Sequence, residues 1–543
     1  MTIKYDSQIM TTWQSCAIIA LLCQVVLCAP LFASEQKYTV GEITVVNTDI
    51  YSSDEISQTN AILKSFRKTT NKLHFNTHEW VIRREVLPET GGELTEADLR
   101  ETERNLRSLG YLVNISVTPL DTLPGNVVPI EVRYQETWST NIAFSLSVSS
   151  DDSRWGAVLS DRNFLGYGIL TGLSYSSDEE RTTNTVLIND RRLFGSPWQV
   201  AAQKSTLSDG FVDNAYLGKP FRFQGDNWGT GCTYWNMSYE PRYYISQTQS
   251  DNYYVTVPIS NVGVNLWAAK LVHGFKQGRL WRLGAGFELR DTKYYFPDDS
   301  ELIQPDATWR REYGTVVLPY LLISSEGRSW GKSKLVTKYG PTEDLALDPV
   351  FSFSIGPSRK LWGSARDKWE SNLVFSNWDG IGEGFVTQQV TFRAGKDFSD
   401  LQFLAGWFSH YSGNRHSRIV VELCRAENIV GNEAYRLGLN RGLRTLRYDG
   451  MTGDRLVRWN IEHAILKKDE VMGLARVGFA GFCGGGAAWW AEDGSNTFRN
   501  EAGVGLRFGP TRSANSEVAR IDLTWDLNNG GEPFITAVTR GLF

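Results

Sequence analysis

Apolar and polar residues alternate one by one in four segments of the second half of the chain: Leu283/Ala285/Phe287/Leu289, Ile419/Val421/Leu423, Ala502/Val504/Leu506/Phe508 and Ile521/Leu523/Trp525/Leu527. The interleaved positions include Arg282, Glu288, Arg290, Glu422, Arg507, Arg520, Asp522 and Asp526. A period of two with one oily and one charged face predicts β-strands. Throughout residues 138–543 short runs of this kind are separated by Gly, Asn, Asp and Ser clusters, such as Ser150-Asp151-Asp152-Ser153 and Phe296-Pro297-Asp298-Asp299-Ser300. Divided among about 16 strands, the region leaves roughly 25 residues for each, enough for a strand of about ten, a short turn and a longer loop.

The pattern differs before residue 138. Ile43 and Val45 begin a strand, while Ile56, Leu63 and Phe66 recur at helical spacing and Val81-Ile82 lie in a second short helical stretch. The clearest predicted helix runs from Glu96 to Leu109, with Thr95 and Asp98 spaced as a capping box, Leu99, Leu106 and Leu109 on one face, and Gly110 as its stop. Two strands follow, carried by Tyr111/Val113/Ile115/Val117 and Val128/Ile130/Val132/Tyr134 around a turn at Pro124-Gly125-Asn126. This is a small α/β domain, with 16 acidic and 11 basic residues between positions 34 and 136.

At the start of the chain, Lys4 precedes an apolar run from Ala17 to Leu27 that ends in Leu31-Phe32-Ala33-Ser34, the order of a cleaved secretory signal. Cleavage is expected after Ala33, with lipoprotein processing at Cys28 as the alternative. Beyond it no stretch is long and apolar enough for a spanning helix, so an exported chain of this kind enters a membrane by strands or not at all. Cys232, Cys424 and Cys483 are too few and too far apart for a disulfide framework. The formal charge of −5 and the lack of a basic block give nucleic acid no electrostatic footing. The 19 Trp and 22 Tyr suit a membrane interface as well as a core.

Enzyme motifs are weak. Gly327-Arg328-Ser329-Trp330-Gly331 fits a nucleophile-elbow pattern, but Lys332-Ser333-Lys334-Leu335-Val336 follows where a packed helix is required, so Ser329 reads as a turn. Glu326 stands where a phosphate loop requires its first Gly. His74 and His78 lack a further ligand, and Glu79 is misplaced for a zinc hydrolase. No catalytic residue, metal or cofactor is assigned.

The run Gln135-Glu136-Thr137-Trp138-Ser139 followed by Asp161-Arg162-Asn163-Phe164-Leu165-Gly166-Tyr167-Gly168 resembles the junction between a POTRA domain and the barrel in the BamA and TamA superfamily. Val81-Ile82-Arg83-Arg84-Glu85 and Arg104-Asn105-Leu106-Arg107-Ser108-Leu109-Gly110-Tyr111 are similar to that family's POTRA helices, and the terminal Phe543 to its C-terminal strand signal. The resemblance also extends to a loop that folds back into the barrel, with Asn440-Arg441-Gly442-Leu443 matching an Arg-Gly-aromatic tip, then Gly453-Asp454 and Asn460-Ile461-Glu462. Arg441 is expected in the lumen, with Glu462 as its carboxylate partner. Leu443 departs from the aromatic, and Phe482-Cys483-Gly484 carries no acid where the family's strand has Asp.

The resemblance implies a signal peptide at 1–33, one POTRA domain at 34–136 in the periplasm, and a transmembrane antiparallel barrel of about 16 strands at 137–543 in the outer membrane. Its implied role is insertion or translocation of proteins, or of lipids. Clients would pair with the POTRA sheet edge and with a weak seam that ends in Pro533, Thr539, Gly541 and Phe543. The rival expectation is a passive pore or structural barrel, favoured by Leu443 and Gly484. A soluble exported enzyme stands third.

Overall fold

The computed structural model describes residues 38–87, 89–148, 153–244, 254–272, 278–295, 313–334, 336, 338–339, 341–411, 414–429, 433–439, 442–446, 450–471, 473–492, 497–514, 518–531 and 533–538. The predicted signal segment, Arg441 and Phe543 fall outside these residues.

Residues 38–136 form a four-stranded sheet with helices against it. Its strands are β1 (Tyr38–Thr48), β2 (Glu93–Leu94), β3 (Leu112–Pro119) and β4 (Val127–Glu136), in the order β2-β1-β4-β3, with β1 and β4 parallel. The helices are α1 (Ser53–Ser57), α2 (Ala61–Leu73), α3 (Glu79–Arg83) and α4 (Glu96–Ser108). The Thr95–Asp98 capping box starts α4, each partner satisfying the other's backbone N–H. Leu106 and Leu109 pack with Ile82, Tyr111, Val117, Ile130, Val132 and Tyr134 into one core. The alternation read in β3 slips by a bulge: Asn114 takes a φ of 49°, and the pairing register shifts between Val113 and Ser116.

Twenty antiparallel strands then close into a barrel, from Thr140–Val148 to Phe534–Val538, rather than about 16. The difference arises at the start. Five strands of nine residues each, Thr140–Val148, Ser153–Asp161, Ile169–Ser177, Thr182–Asp190 and Gln199–Leu207, are joined by short connections and use far less chain than an even division allows. The even number lets the first and last strands meet antiparallel. Among the described residues Thr536↔Ser147 and Ala537↔Leu146 are in register across this seam.

The barrel has an oily exterior and a charged interior. Val504, Leu506 and Phe508 are exposed while Glu501 and Arg507 are buried, and Ile521 and Trp525 are exposed while Asp522 is buried. The turns containing Asn163, Arg192, Phe223, Asp344, Gly473 and Arg512 gather at the end where the α/β domain lies. The segment between strands Arg415–Glu427 and Arg455–Leu466 belongs to the opposite end.

Candidate functional site

Two constellations stand out, one inside the lumen and one where the domain meets the barrel. The first is organised by the segment 428–454. A small hairpin, Tyr435–Leu437 with Met451–Gly453, turns it inward, and Leu437 and Leu443 are fully buried against Leu456, Cys424 and Ala488. Leu443, aliphatic at the position where the resembled family has an aromatic, thus fills an apolar nest on the inner wall. Gly442 has a φ of 116°, and a Cβ there would lie 2.3 Å from Arg458 Cδ, so the bend requires glycine. Asp454 ties the returning chain to the wall by accepting from the Ala491 N–H at 2.9 Å and pairing with Arg455 at 3.1 Å. Gly453 passes flush against the Trp489 backbone.

The residue after Leu443 carries the charge. Arg444, 1% exposed, donates from Nε to Asp522 at 2.8 Å and from Nη1 to Glu501 at 2.9 Å. Its backbone N–H and that of Thr445 also donate to Glu501, at 2.6 and 3.1 Å, and the guanidinium lies 3.8 Å above the Phe482 ring. Glu501 is the register partner of Gly484. The carboxylate missing at Gly484 is therefore present directly across the sheet.

Glu462 receives Arg507 at 2.6 Å and Arg418 at 3.0 Å, and Arg507 bridges on to Asp522 at 2.5 Å. Among the described residues it joins the loop's Arg444 indirectly, through Arg507 and Asp522. Four arginines, 418, 444, 507 and 520, and three carboxylates, 462, 501 and 522, form one buried network drawn from the loop and four strands. Arg444 was not singled out in the sequence, although the tip Arg441-Gly442-Leu443-Arg444 offers a guanidinium on either side of its apolar pair.

At the other constellation Asn163 is 1% exposed and holds the junction turn together. Its N–H donates to Asp161 at 2.8 Å, its Oδ1 accepts from the Gly168 N–H at 2.7 Å, and its Nδ2 donates to Thr77 at 2.9 Å. Thr77 in turn donates from N and Oγ1 to the buried Glu136. Gly166 presses on the Asn76 carbonyl and accepts from the His78 N–H, while Phe164 and Leu165 stay exposed, with Leu165 at a φ of 52°.

The next turn on that side repeats the device. Asp190-Arg191-Arg192-Leu193-Phe194-Gly195 follows Asp161-Arg162-Asn163-Phe164-Leu165-Gly166 in residue pattern, the Arg192 N–H donates to Asp190, and Phe194 shares the φ of 52°. Arg192 is buried and forks onto Glu85 at 2.9 and 3.1 Å. The recurrence Asp-Arg-x-apolar-apolar-Gly was available in the sequence as the signal for Arg192.

Farther round the rim, Arg107 forks onto Asp344 at 2.8 and 2.9 Å, Lys332 reaches Glu103 at 2.6 Å, Gln224 N–H donates to Glu101, and Arg512 pairs with Glu55 at 2.6 Å. Burial works to raise the Glu55 and Glu103 carboxyls, but hydrogen bonds and the facing cations Arg512 and Lys332 hold both below the usual glutamate value. Burial leaves Glu101 raised. Ser329 lies in the turn after strand Gly314–Gly327, its N–H held by Asp348, and His74 is set against Glu136 and the Trp138 ring.

No family model matches the chain, and no curated protein matches it. Among solved structures, CdiB from Escherichia coli is similar at 11% identity and a TM-score of 0.41, over 99% of this chain and 98% of that one. CdiB from Acinetobacter baumannii is similar at 10% identity and a TM-score of 0.41, over 99% of each chain. BamA from Haemophilus ducreyi lacking POTRA domains 1-3 is similar at 11% identity and a TM-score of 0.37, over 92% of this chain and 83% of that one.

Proposed function

We propose that this chain is an outer-membrane barrel whose α/β domain faces the periplasm, and that it assists insertion or translocation of proteins through its seam. An oily outer wall around a charged interior needs lipid outside. The observation that carries the functional part is a lumen occupied by the Arg444 loop, held to the wall by buried carboxylates. A barrel built merely to conduct has no use for a tight network inside it, which obstructs flow. The ground that Gly484 offered for a passive pore is weakened by Glu501 opposite it. A client strand would add to the free edge of the opened seam by main-chain hydrogen bonding, with no cofactor or nucleotide.

The test is to cross-link the register partners Ser147→Cys and Thr536→Cys in purified protein reconstituted in liposomes. Oxidation should abolish its ability to speed folding of an unfolded outer-membrane barrel, and reduction should restore it. An oxidised form as active as the reduced one, or a wild type with steady conductance and no effect on client folding, sinks the seam mechanism in favour of the passive pore.

A further inference from the structure

Helix α2 sits in the α/β domain the wrong way round for a soluble protein. A surface helix ordinarily turns its apolar stripe to the core. Here the core-side contacts are polar: Asn71 exchanges hydrogen bonds with the Tyr51 backbone at 2.8 and 3.1 Å, and Arg67 lies over the Tyr51 ring. Ile62, Phe66 and Leu73, spaced to lie along one line, point outward, with Ile62 81% and Leu73 64% exposed, and no residue of the helix is fully buried.

Charge is segregated onto the same element. It carries Lys64, Lys68, Lys72 and Arg67, four of the eleven basic residues between 34 and 136, and none of the sixteen acidic ones. The three lysines are exposed on the rest of the helix, Lys72 nearest the apolar line and Lys64 about opposite it. An apolar line on one side with lysines on the polar side is the composition of a helix lying in a membrane interface, where long cationic side chains reach lipid phosphates and rings sink among the acyl chains.

Placement agrees with this. Arg67, midway along the helix, abuts Gly473 in one barrel turn, and past the helix's C-terminal end Asn76 abuts Gly166 in the junction turn, so α2 lies against the stretch of rim that contains the seam. There the domain adds a ring to the foot of the wall: Trp80, 45% exposed, lies 6.1 Å from Tyr167 under the Arg84 guanidinium. Tyr167 precedes strand Ile169–Ser177, whose Leu173 faces outward.

We propose that α2 is an interfacial membrane helix that rests on anionic phospholipid of the leaflet facing the α/β domain. This rests on the membrane reading above. Full-length protein is reconstituted in vesicles of phosphatidylcholine alone, in vesicles with about 30% phosphatidylglycerol, and in detergent, and amide exchange is followed across residues 61–73. Heat-modifiability of the same samples reports whether the barrel itself is inserted, so a failure of the membrane reading shows separately. The expected result is exchange slowed about tenfold or more in the anionic vesicles relative to detergent. Phe66→Glu should remove the slowing, and Lys64→Glu with Lys68→Glu and Lys72→Glu should remove its dependence on anionic lipid. Equal exchange in vesicles and detergent, with the barrel inserted, overturns the proposal. So does protection that appears only when a second protein is added.

Discussion

Arg444 meets Glu501 twice, through its backbone N–H at 2.6 Å and through its guanidinium at 2.9 Å, so one carboxylate fixes both the path of the loop and the direction of its side chain. Arg444→Ala should strip Glu501 and Asp522 of a partner in a dry setting and cost about 3–5 kcal/mol, against about 0–1 for an exposed pair such as Lys204–Asp213. The midpoint of the heat-induced gel shift measures it. Arg444→Lys should recover only part of the loss, since an ammonium cannot serve both acceptors with the planar fork.

Gly442 is the second lever on the same loop. Gly442→Ala places a methyl into the Arg458 side chain and holds a non-glycine residue at a φ of 116°. The strain alone is about 1–3 kcal/mol. Limited proteolysis of the loop in folded protein should show faster cutting, and an unchanged pattern would mean that the tip is not held where it is drawn.

The alternation of oily and charged residues was readable because the side-chain period of a strand is two, whichever strand it pairs with. How many strands there are was not, because strand length and turn length trade against each other, and the nine-residue strands after Thr140 break the even spacing. In the loop, the tip could be found but not the register of its cations: Gly442 allows a turn that sends one flanking side chain inward, and only packing of Leu443 with Leu437 and Leu456 brings Arg444 to Glu501. Glu462 was expected as the carboxylate partner of Arg441, yet its described partners Arg418 and Arg507 belong to other strands, and cross-strand register is not written in local sequence. The placement of Arg441 relative to Glu462 lies outside the described residues.

Docking of the domain should depend on Arg192. Arg192→Ala leaves the buried Glu85 without its fork and should cost about 3 kcal/mol or more, whereas Asn163→Ala, which removes neutral hydrogen bonds, should cost about 1–3. Hydrogen exchange in β4 and at Thr77 would register both. Arg192→Ala with Glu85→Leu should be milder than Arg192→Ala alone, because no stranded charge is left.

Acid should loosen the same interface. Glu55 and Glu103 have folded values below the ordinary 4.5, so their ion pairs contribute fully above that value and are lost as pH falls below it through the depressed folded values. Glu101, raised above 4.5, works oppositely and gains from protonation, which softens the net slope. Protease accessibility of the domain should rise below about pH 4.5. In Glu55→Gln with Glu103→Gln that rise should be much reduced, and undiminished acid sensitivity there would assign the effect elsewhere.

The α/β domain has a mechanical consequence for the seam. On one side it grips the turns after the second and fourth barrel strands through Asn163 and Arg192. On the other it grips the turn before the penultimate strand, through Arg512 on Glu55 and the bridge of Trp138 to Ser513. These holds lie on either side of the junction between the first and last strands and tether both sides to one domain. On the proposed seam mechanism the wall would unzip only after the floor beneath it lets go of one side, which would make the salt bridge between Arg512 and Glu55 the clasp on a door cut elsewhere.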